Sequence, residues 1–168
     1  MRKVLIMPIG IPGSGKSTYM RELGRKFLIP IVSSDKVREI LYGDESIQGN
    51  SNKVFNEVYR RVNNYLREEH CCILDATNVK WTTREVARDR ARADEYVYIL
   101  MKTDFEECKK RNAARERVVP EYVLDEMYWN FRQDSPLLMP EKYNKHIHIF
   151  WENDPALDDY LEKVLWEL

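Results

Sequence analysis

The sequence has few of the features that mark membrane proteins and disulfide-stabilised secreted domains. No apolar run approaches the ~20 residues needed to cross a bilayer, and Val4-Leu5-Ile6-Met7 is too short for the core of a signal peptide. Only three cysteines occur, and two of them, Cys71 and Cys72, are adjacent in an apolar run. This odd, clustered set predicts reduced core thiols and a cytoplasmic location. The short apolar runs predict no membrane association.

A large excess of one charge is also absent, since the net charge is −1 over 168 residues. This balance argues against a general nucleic-acid binder. The charge is unevenly distributed, however: residues 1–120 carry a net +6 and residues 121–168 a net −7. The basic part suits an anionic substrate, although solvated helix faces account for it equally well.

Short apolar runs alternate with longer amphipathic stretches along the whole chain, without a repeat or a linker. We therefore predict one domain over residues 1–168. The predicted strands are Arg2–Pro8, Pro30–Ser33, Cys71–Asp75, Tyr96–Met101 and His146–Trp151. The predicted helices are Lys16–Leu28, Asp35–Leu41, Asn52–Glu69, Thr82–Ala93, Phe105–Glu116, Pro120–Gln133 and Pro155–Leu168. This alternation predicts an α/β fold with a five-stranded parallel sheet flanked by helices.

Two of the predicted helix starts carry the capping-box pattern. Thr82 is followed by Glu85, and Thr103 is followed by Glu106. At this spacing the threonine side chain accepts a hydrogen bond from the backbone N–H of the third helical residue, and the carboxylate of that residue accepts one from the threonine backbone N–H. We therefore expect Thr82 and Thr103 to cap their helices.

The glycine-rich turn after the first strand fits the pattern G-x-x-x-x-G-K-[ST] in full. Its glycines allow successive backbone N–H groups to face a phosphate, while lysine adds charge and the serine hydroxyl binds Mg²⁺. The following helix directs the positive end of its dipole at the same anion. The pattern predicts a P-loop that binds ATP and Mg²⁺, with Ser17 as the metal ligand. The predicted nucleotide-binding residues are Gly10, Pro12, Gly13, Ser14, Gly15, Lys16, Ser17 and Thr18, together with Arg111 from a later basic stretch.

Asp35 and Arg38 follow the second strand and share one face of a helix near its start. A carboxylate there can accept the proton of an attacking hydroxyl, and an arginine can hold an anionic group of the acceptor. The alternative is that Asp35 only caps the helix and Arg38 is a surface charge.

Asp75, Thr77 and Asn78 follow the third strand, where open α/β sheets bind their ligands. Asp75 is placed to order the water shell of Mg²⁺ or to pair with Arg38, and Thr77 and Asn78 offer hydrogen bonds. We predict that all three residues, with Arg38, bind the acceptor. An Asx turn that leaves the strand is the alternative.

Arg111 and Arg115 lie four residues apart in a basic stretch and would project to the same side of a helix. Phosphoryl transfer spreads negative charge over the equatorial oxygens, and a mobile arginine stabilises that charge while excluding water. We predict that Arg115 reaches the transferring group; a solvated basic helix end is the alternative.

Taken together, these blocks resemble the 5′-hydroxyl polynucleotide kinase family. The resemblance rests on Gly10–Thr18, Asp35-x-x-Arg38, Asp75-x-Thr77-Asn78, and Arg111-Asn112 with Arg115 and Val119-Pro120, and it covers residues 1 to about 135. It implies an adenylate-kinase-like core with a short arginine-bearing lid. It also implies that Asp35 is the general base for the 5′-hydroxyl, that Arg38 contacts the 3′-phosphate of the acceptor, and that Arg115 is the lid arginine on the ATP phosphates.

Two other functions are compatible with the same P-loop. One is a kinase of a small molecule, such as a nucleoside, nucleotide, sugar or antibiotic. The other is a switch module that hydrolyses ATP slowly and signals to a partner. The sequence does not indicate the oligomeric state.

Overall fold

The first apolar run forms the centre of a parallel sheet. In a computed structural model that describes residues 1–44 and 49–166, strand β1 (Val4–Ile9) pairs with β3 (Cys71–Asp75) on one side and β4 (Glu95–Leu100) on the other. Strands β2 (Ile31–Ser33) and β5 (Ile147–Trp151) extend the two edges. Within these residues the strand order is β2-β3-β1-β4-β5, all parallel, which confirms the predicted sheet.

The helices connect the strands as predicted, with some shifted ends. They are α1 Lys16–Phe27, α2 Ser34–Tyr42, α3 Ser51–Glu69, α4 Trp81–Arg90, α5 Phe105–Ala113, α6 Glu121–Gln133 and α7 Pro155–Trp166, with a 3₁₀ turn at Pro140–Tyr143. The predicted end of the last helix, residues 167–168, lies outside the described residues. No helix in the described ranges is both long and apolar enough to cross a membrane.

Both faces of the sheet are covered, because alternate β1 side chains belong to different cores. Leu5, Met7 and Ile9 pack with buried residues of α2, α3, α4, α5 and α6. Val4 and Ile6 pack with buried residues of α1 and α7 on the other face. Burial on both faces explains why the strands are continuous apolar runs rather than alternating ones.

Both capping-box predictions are wrong. Helix α4 begins at Trp81 without a side-chain cap, so Thr82 already lies inside the helix. Asp104 caps α5 by accepting a hydrogen bond from the Glu107 N–H. The Thr103 hydroxyl instead donates to the Ser14 carbonyl at 2.8 Å, and so it ties the start of α5 to the P-loop.

Helix α5 also ends three residues earlier than predicted, at Ala113. The buried Asn112 side chain donates to the Val119 carbonyl at 2.8 Å and accepts from the Val119 N–H at 3.0 Å. This reciprocal pair closes residues 113–118 into a loop, which replaces the last helical turn.

A buried ion pair holds the loop that follows β3. The fully buried Arg84 contacts Glu141 at 2.7 Å and donates to the carbonyls of Asn78 and Val79 at 3.0 Å. Arg88 pairs with the second oxygen of Glu141 at 2.6 Å. The loop after β3 is therefore held in place by Arg84, which is itself paired with Glu141.

We expect Arg84→Met to lower the free energy of unfolding by about 3–5 kcal/mol, because it leaves a buried carboxylate and buried carbonyls with fewer donors. Urea denaturation measures this change. The control is Arg67→Met, which removes an exposed arginine paired with an exposed glutamate and should change stability by no more than about 0.5 kcal/mol. Equal losses in the two variants would contradict the role given to Arg84.

Candidate active site

The P-loop depends on two glycines in left-handed conformations. Gly13 has φ +84°, and a Cβ added there would lie 2.5 Å from the Cys108 carbonyl oxygen of α5. Gly15, with φ +85°, occupies the N-cap position of α1. A side chain at Gly13 would therefore meet both backbone strain and a clash.

The N-terminus of α1 is available to an anion. Gly15 provides no side-chain cap, and the first turn contains no acidic residue. The first N–H groups of a helix have no acceptor within the helix, and the helix dipole favours negative charge there. These groups are therefore suited to bind phosphate oxygens.

Lys16 is the cation at the centre of this cradle. Burial lowers the pKa of Lys16, the carboxylates of Asp75 and Asp35 oppose that shift, and the charge of Arg115 adds to it. The ammonium group is thus partly desolvated and has two acidic neighbours. A phosphate chain beside it would compensate for the water that it has lost.

Ser17 and Asp75 lie together beneath the P-loop. The Ser17 hydroxyl donates to Asp75 Oδ2 at 2.8 Å. Asp75 is buried, and its other oxygen, Oδ1, has no hydrogen-bond partner among the described residues. A buried carboxylate oxygen without a donor, next to a hydroxyl, fits the hard oxygen ligands that Mg²⁺ prefers. The predicted pair of Asp75 with Arg38 does not form, since Asp75 bonds to Ser17.

Thr77 and Asn78 join the P-loop to the end of β3. The Gly10 N–H donates to the Thr77 carbonyl at 3.0 Å. The buried Asn78, with φ +54°, donates from its side-chain amide to the Pro8 carbonyl at 2.9 Å and the Ala76 carbonyl at 3.1 Å. The Asn78 amide therefore fixes the backbone at this edge, a contribution that the sequence pattern did not reveal.

Asp35 and Arg38 form an ion pair on α2, as their spacing predicts. Arg38 Nη1 lies 2.9 Å from Asp35 Oδ1. Ser33 is the N-cap and accepts from the Lys36 N–H, so the alternative in which Asp35 caps the helix is excluded. The Arg38 guanidinium lies over the Phe55 ring, 6.0 Å from its centroid, and its buried Nε has no partner in the described part of the chain.

Arg111 and Arg115 both face the P-loop, but from different elements. Arg111 Nη1 donates to the Gly13 carbonyl at 3.3 Å from the last turn of α5. Arg115 lies beyond the helix end, so the prediction of one shared helical face is wrong. The two residues nevertheless line the same cavity.

This cavity of about 840 Å³ contains nearly all of the predicted site residues. Its volume is in the range of about 300–1,000 Å³ that is usual for small-molecule sites. Gly10 and Ser14 are not among its lining residues. The lining residues that were not predicted as site residues are Ser33, Ser34, Phe55, Ala76, Val79, Lys80, Thr83, Arg117, Val119, Val123, Glu126, Met127 and Asn130. Of these, Val123, Met127 and Asn130 have helical spacing that could have suggested a shared face.

The cysteines are not candidate nucleophiles. Burial raises the pKa of Cys71 to about 12, and all three thiols are buried and unpaired with one another. A thiol acts as a nucleophile only when it is ionised. Chemistry in this cavity therefore depends on carboxylates, hydroxyls and cations.

The lowered pKa of Lys16 predicts that nucleotide binding takes up protons at alkaline pH. The free protein loses the Lys16 proton at a lower pH than an ordinary lysine does, whereas bound phosphates favour the protonated form. Affinity for ATP should therefore fall as the pH rises through the Lys16 pKa. Calorimetric titration in two buffers of different ionisation enthalpy, at about pH 8 and about pH 9.5, measures the uptake.

The uptake at the higher pH should equal or exceed the uptake at the lower pH. The control Lys163→Met, which removes an exposed lysine of α7, should match the unmodified protein, and Lys16→Met should lose the uptake. Absence of uptake at both pH values in the unmodified protein would contradict the prediction.

Known proteins resemble this chain in sequence and in fold. A family model described as "AAA domain" matches residues 5–133. The L-seryl-tRNA(Sec) kinase of Methanococcus maripaludis is 30% identical over 144 residues, which cover 79% of this chain and 53% of that protein. The chain therefore spans about half the length of this curated relative.

Two solved structures share the fold. A chain of the Pnkp1/Rnl/Hen1 RNA repair complex has a TM-score of 0.71 at 19% identity, over 82% of this chain and 47% of that chain. A gluconokinase from Sinorhizobium meliloti 1021 has a TM-score of 0.53 at 13% identity, over 98% and 90%. At these identities the likeness concerns the fold alone.

The family match includes more than half of the chain, and it contains the P-loop together with Asp35, Asp75 and Arg115. These side chains line one cavity at the carboxyl edge of the sheet. The chain belongs to the AAA domain family.

Proposed function

We propose that the chain transfers the γ-phosphate of ATP, with Mg²⁺, to the 5′-hydroxyl end of a polynucleotide. The observation that carries the proposal is the Asp35–Arg38 ion pair in the same cavity as the P-loop. The carboxylate can accept the proton of a hydroxyl, and the adjacent cation can bind an anion. This pair therefore suits an acceptor in which the alcohol lies near a phosphate. A nucleic-acid end has both groups.

The donor side of the cavity is built for a triphosphate. The N–H groups at the start of α1 and the Lys16 ammonium face the β- and γ-phosphates on this proposal. Arg111, which is fixed to the Gly13 carbonyl, and Arg115 on the following loop add positive charge. The roles of these residues follow from their chemistry and from their place on the cavity wall.

Ser17 and Asp75 would hold Mg²⁺, directly or through water. A bound ion would offset the negative charge that develops on the phosphate oxygens during transfer. The hydrogen bond from Ser17 to Asp75 Oδ2 holds the two side chains together and leaves Asp75 Oδ1 unpaired among the described residues. This arrangement favours Asp75 as part of the metal side rather than as an acceptor contact.

The acceptor side combines charge with an apolar wall. Phe55, Val79, Val123 and Met127 line the same cavity as Asp35 and Arg38, and such a surface suits the face of a nucleobase or sugar. Arg38 contacts both the Phe55 ring and the Asp35 carboxylate. We propose that its guanidinium binds the 3′-phosphate of the terminal nucleotide, with Thr77 and Asn78 at the adjoining edge.

The proposed reaction is a direct in-line displacement. The acceptor oxygen forms a bond to the γ-phosphorus, the bond from that phosphorus to the β–γ bridging oxygen breaks, and ADP leaves. Asp35 accepts the hydroxyl proton. Lys16 and Arg115 stabilise the negative charge on the equatorial oxygens, so position and charge supply most of the rate enhancement.

Two features of the relatives support a nucleic-acid acceptor. The sequence relative is a kinase of L-seryl-tRNA(Sec), and one structural neighbour belongs to an RNA repair complex. The gluconokinase fold extends over nearly the whole chain, which favours a small-molecule acceptor as the second candidate. The buried thiols agree with the cytoplasm as the proposed location.

We expect the unmodified protein to transfer labelled γ-phosphate from Mg·ATP to a 5′-hydroxyl oligonucleotide. Asp35→Ala should lower turnover by at least about 10²-fold, the usual scale for a general base, with ATP affinity nearly unchanged. The matched control Asp159→Ala removes an exposed carboxylate of α7 and should retain full activity. If nucleosides or sugars become labelled and the oligonucleotide does not, the acceptor is a small molecule and not a polynucleotide.

The assignment of Arg38 is tested by acceptors that differ in one phosphate. Arg38→Ala should impair phosphorylation of a nucleoside 3′-monophosphate more than that of the matching nucleoside, because only the former offers an anion to the guanidinium. The ratio of kcat/KM values for the two acceptors measures the difference. Equal losses for both would remove Arg38 from phosphate recognition.

A further inference from the structure

A fourth arginine of the cavity wall, Arg117, reaches the proposed base. Arg117 lies in the loop of residues 114–120 that joins α5 to α6, two residues beyond Arg115. Its Nη1 atom is 3.5 Å from Asp35 Oδ1, and its side chain is only 27% exposed. Arg115 in the same loop is exposed. The two loop arginines therefore have different surroundings, and Arg117 extends toward α2.

Two guanidinium groups meet at the same carboxylate oxygen. Arg38 approaches Asp35 Oδ1 at 2.9 Å from within α2, and Arg117 approaches it at 3.5 Å from the loop. Asp35 Oδ2 accepts no hydrogen bond from any residue that the structure describes. With Oδ1 engaged by both arginines, Oδ2 is the oxygen left to accept the proton of a hydroxyl.

The loop is attached firmly at its base. Asn112 and Val119 close it through two hydrogen bonds, at 2.8 Å and 3.0 Å. From that fixed base, the contact between Arg117 and Asp35 brings the loop to the acceptor end of the cavity. Arg115 of the same loop lines the cavity, and its charge acts on Lys16 of the P-loop.

We propose that Arg117 is a positioning residue that links the loop to the base. Its ion pair with Asp35 holds residues 113–118 over the cavity and fixes the carboxylate with Oδ2 toward the acceptor. The catalytic consequence rests on the proposed function, since it requires Asp35 to be the base. The loop-holding contact itself does not depend on which acceptor is used.

The catalytic role of Arg117 is tested by measuring kcat for variants at this position. The assay uses whichever hydroxyl acceptor the unmodified protein phosphorylates. Arg117→Ala should lower kcat between about 10- and 100-fold, the scale of a misplaced reacting group, with the KM for ATP nearly unchanged. Arg117→Lys should recover part of the loss, because it restores the charge. Lys110→Ala, which removes an exposed charge from the last turn of α5, is the control and should keep full activity.

A double-mutant cycle separates action through Asp35 from an independent contribution. In the Asp35→Ala background, Arg117→Ala should cause little further loss, because the carboxylate it positions is absent. Two outcomes would overturn the positioning role and indicate that Arg117 binds the ATP phosphates instead. One is that the losses in kcat of the two single variants multiply in the double variant. The other is a selective rise in the KM for ATP in Arg117→Ala.

Limited trypsin digestion tests the loop-holding contact without any acceptor. Asp35→Ala should accelerate cleavage after Arg115 under native conditions, because the loop loses its attachment to α2. Mass spectrometry identifies this cut, and Asp159→Ala is the control. Unchanged cleavage after Arg115 would overturn the proposal even if the kinase activity is as proposed. Accelerated cleavage in a protein that does not phosphorylate oligonucleotides would leave the contact standing and refute only the polynucleotide acceptor.

Discussion

The parallel pairing of β1 on both of its edges is the constraint on which the site depends. Because β3 and β4 run in the same direction as β1, the loops that follow these strands open at one edge of the sheet. Backbone bonds then connect them: Gly10 donates to Thr77, and Met101 donates to Ile9. The P-loop is thus braced on both sides by its neighbours. A helix N-terminus held this rigidly can bind phosphate without reorganisation, which is the basis of electrostatic stabilisation in an enzyme.

This convergence has an electrostatic cost that an anionic ligand relieves. Among the described lining residues, six are basic and three are acidic. The mutual influence of the cations is evident at Lys16, whose pKa is lowered by burial and also by Arg115. Asp75 and Asp35 offset part of the repulsion, and both also have proposed chemical roles. Carboxylates in such a cluster therefore stabilise the folded arrangement of the site and supply ligands or a base for the reaction.

The sequence was most informative where local chemistry decides the structure. Strand β3 was predicted without error, and the glycine-rich pattern predicted the turn between β1 and α1, because both depend on contiguous residues. Prediction failed where a residue distant in the sequence determines the structure. Thr103 bonds to the P-loop instead of capping α5, and Arg84 is fully buried because Glu141, 57 residues away, pairs with it. Arg117 contacts Asp35 from a different element, and no spacing rule connects positions so far apart in the sequence.

A kinase that acts on a hydroxyl must also avoid transferring phosphate to water, which is present at far higher concentration. The two nucleophiles have similar chemistry, so selectivity has to come from the time at which the base and the charge-stabilising groups are in place. A loop that contributes Arg115 to the phosphates and Arg117 to Asp35 joins these two requirements in one segment. On the proposed mechanism, displacement of the loop would loosen the base and withdraw a cation from the γ-phosphate together. Water that enters the site while the loop is displaced would then find neither the base nor the cation in position, and hydrolysis would be slow. Transfer to the acceptor is fast when the loop is in place, because both groups are then in position.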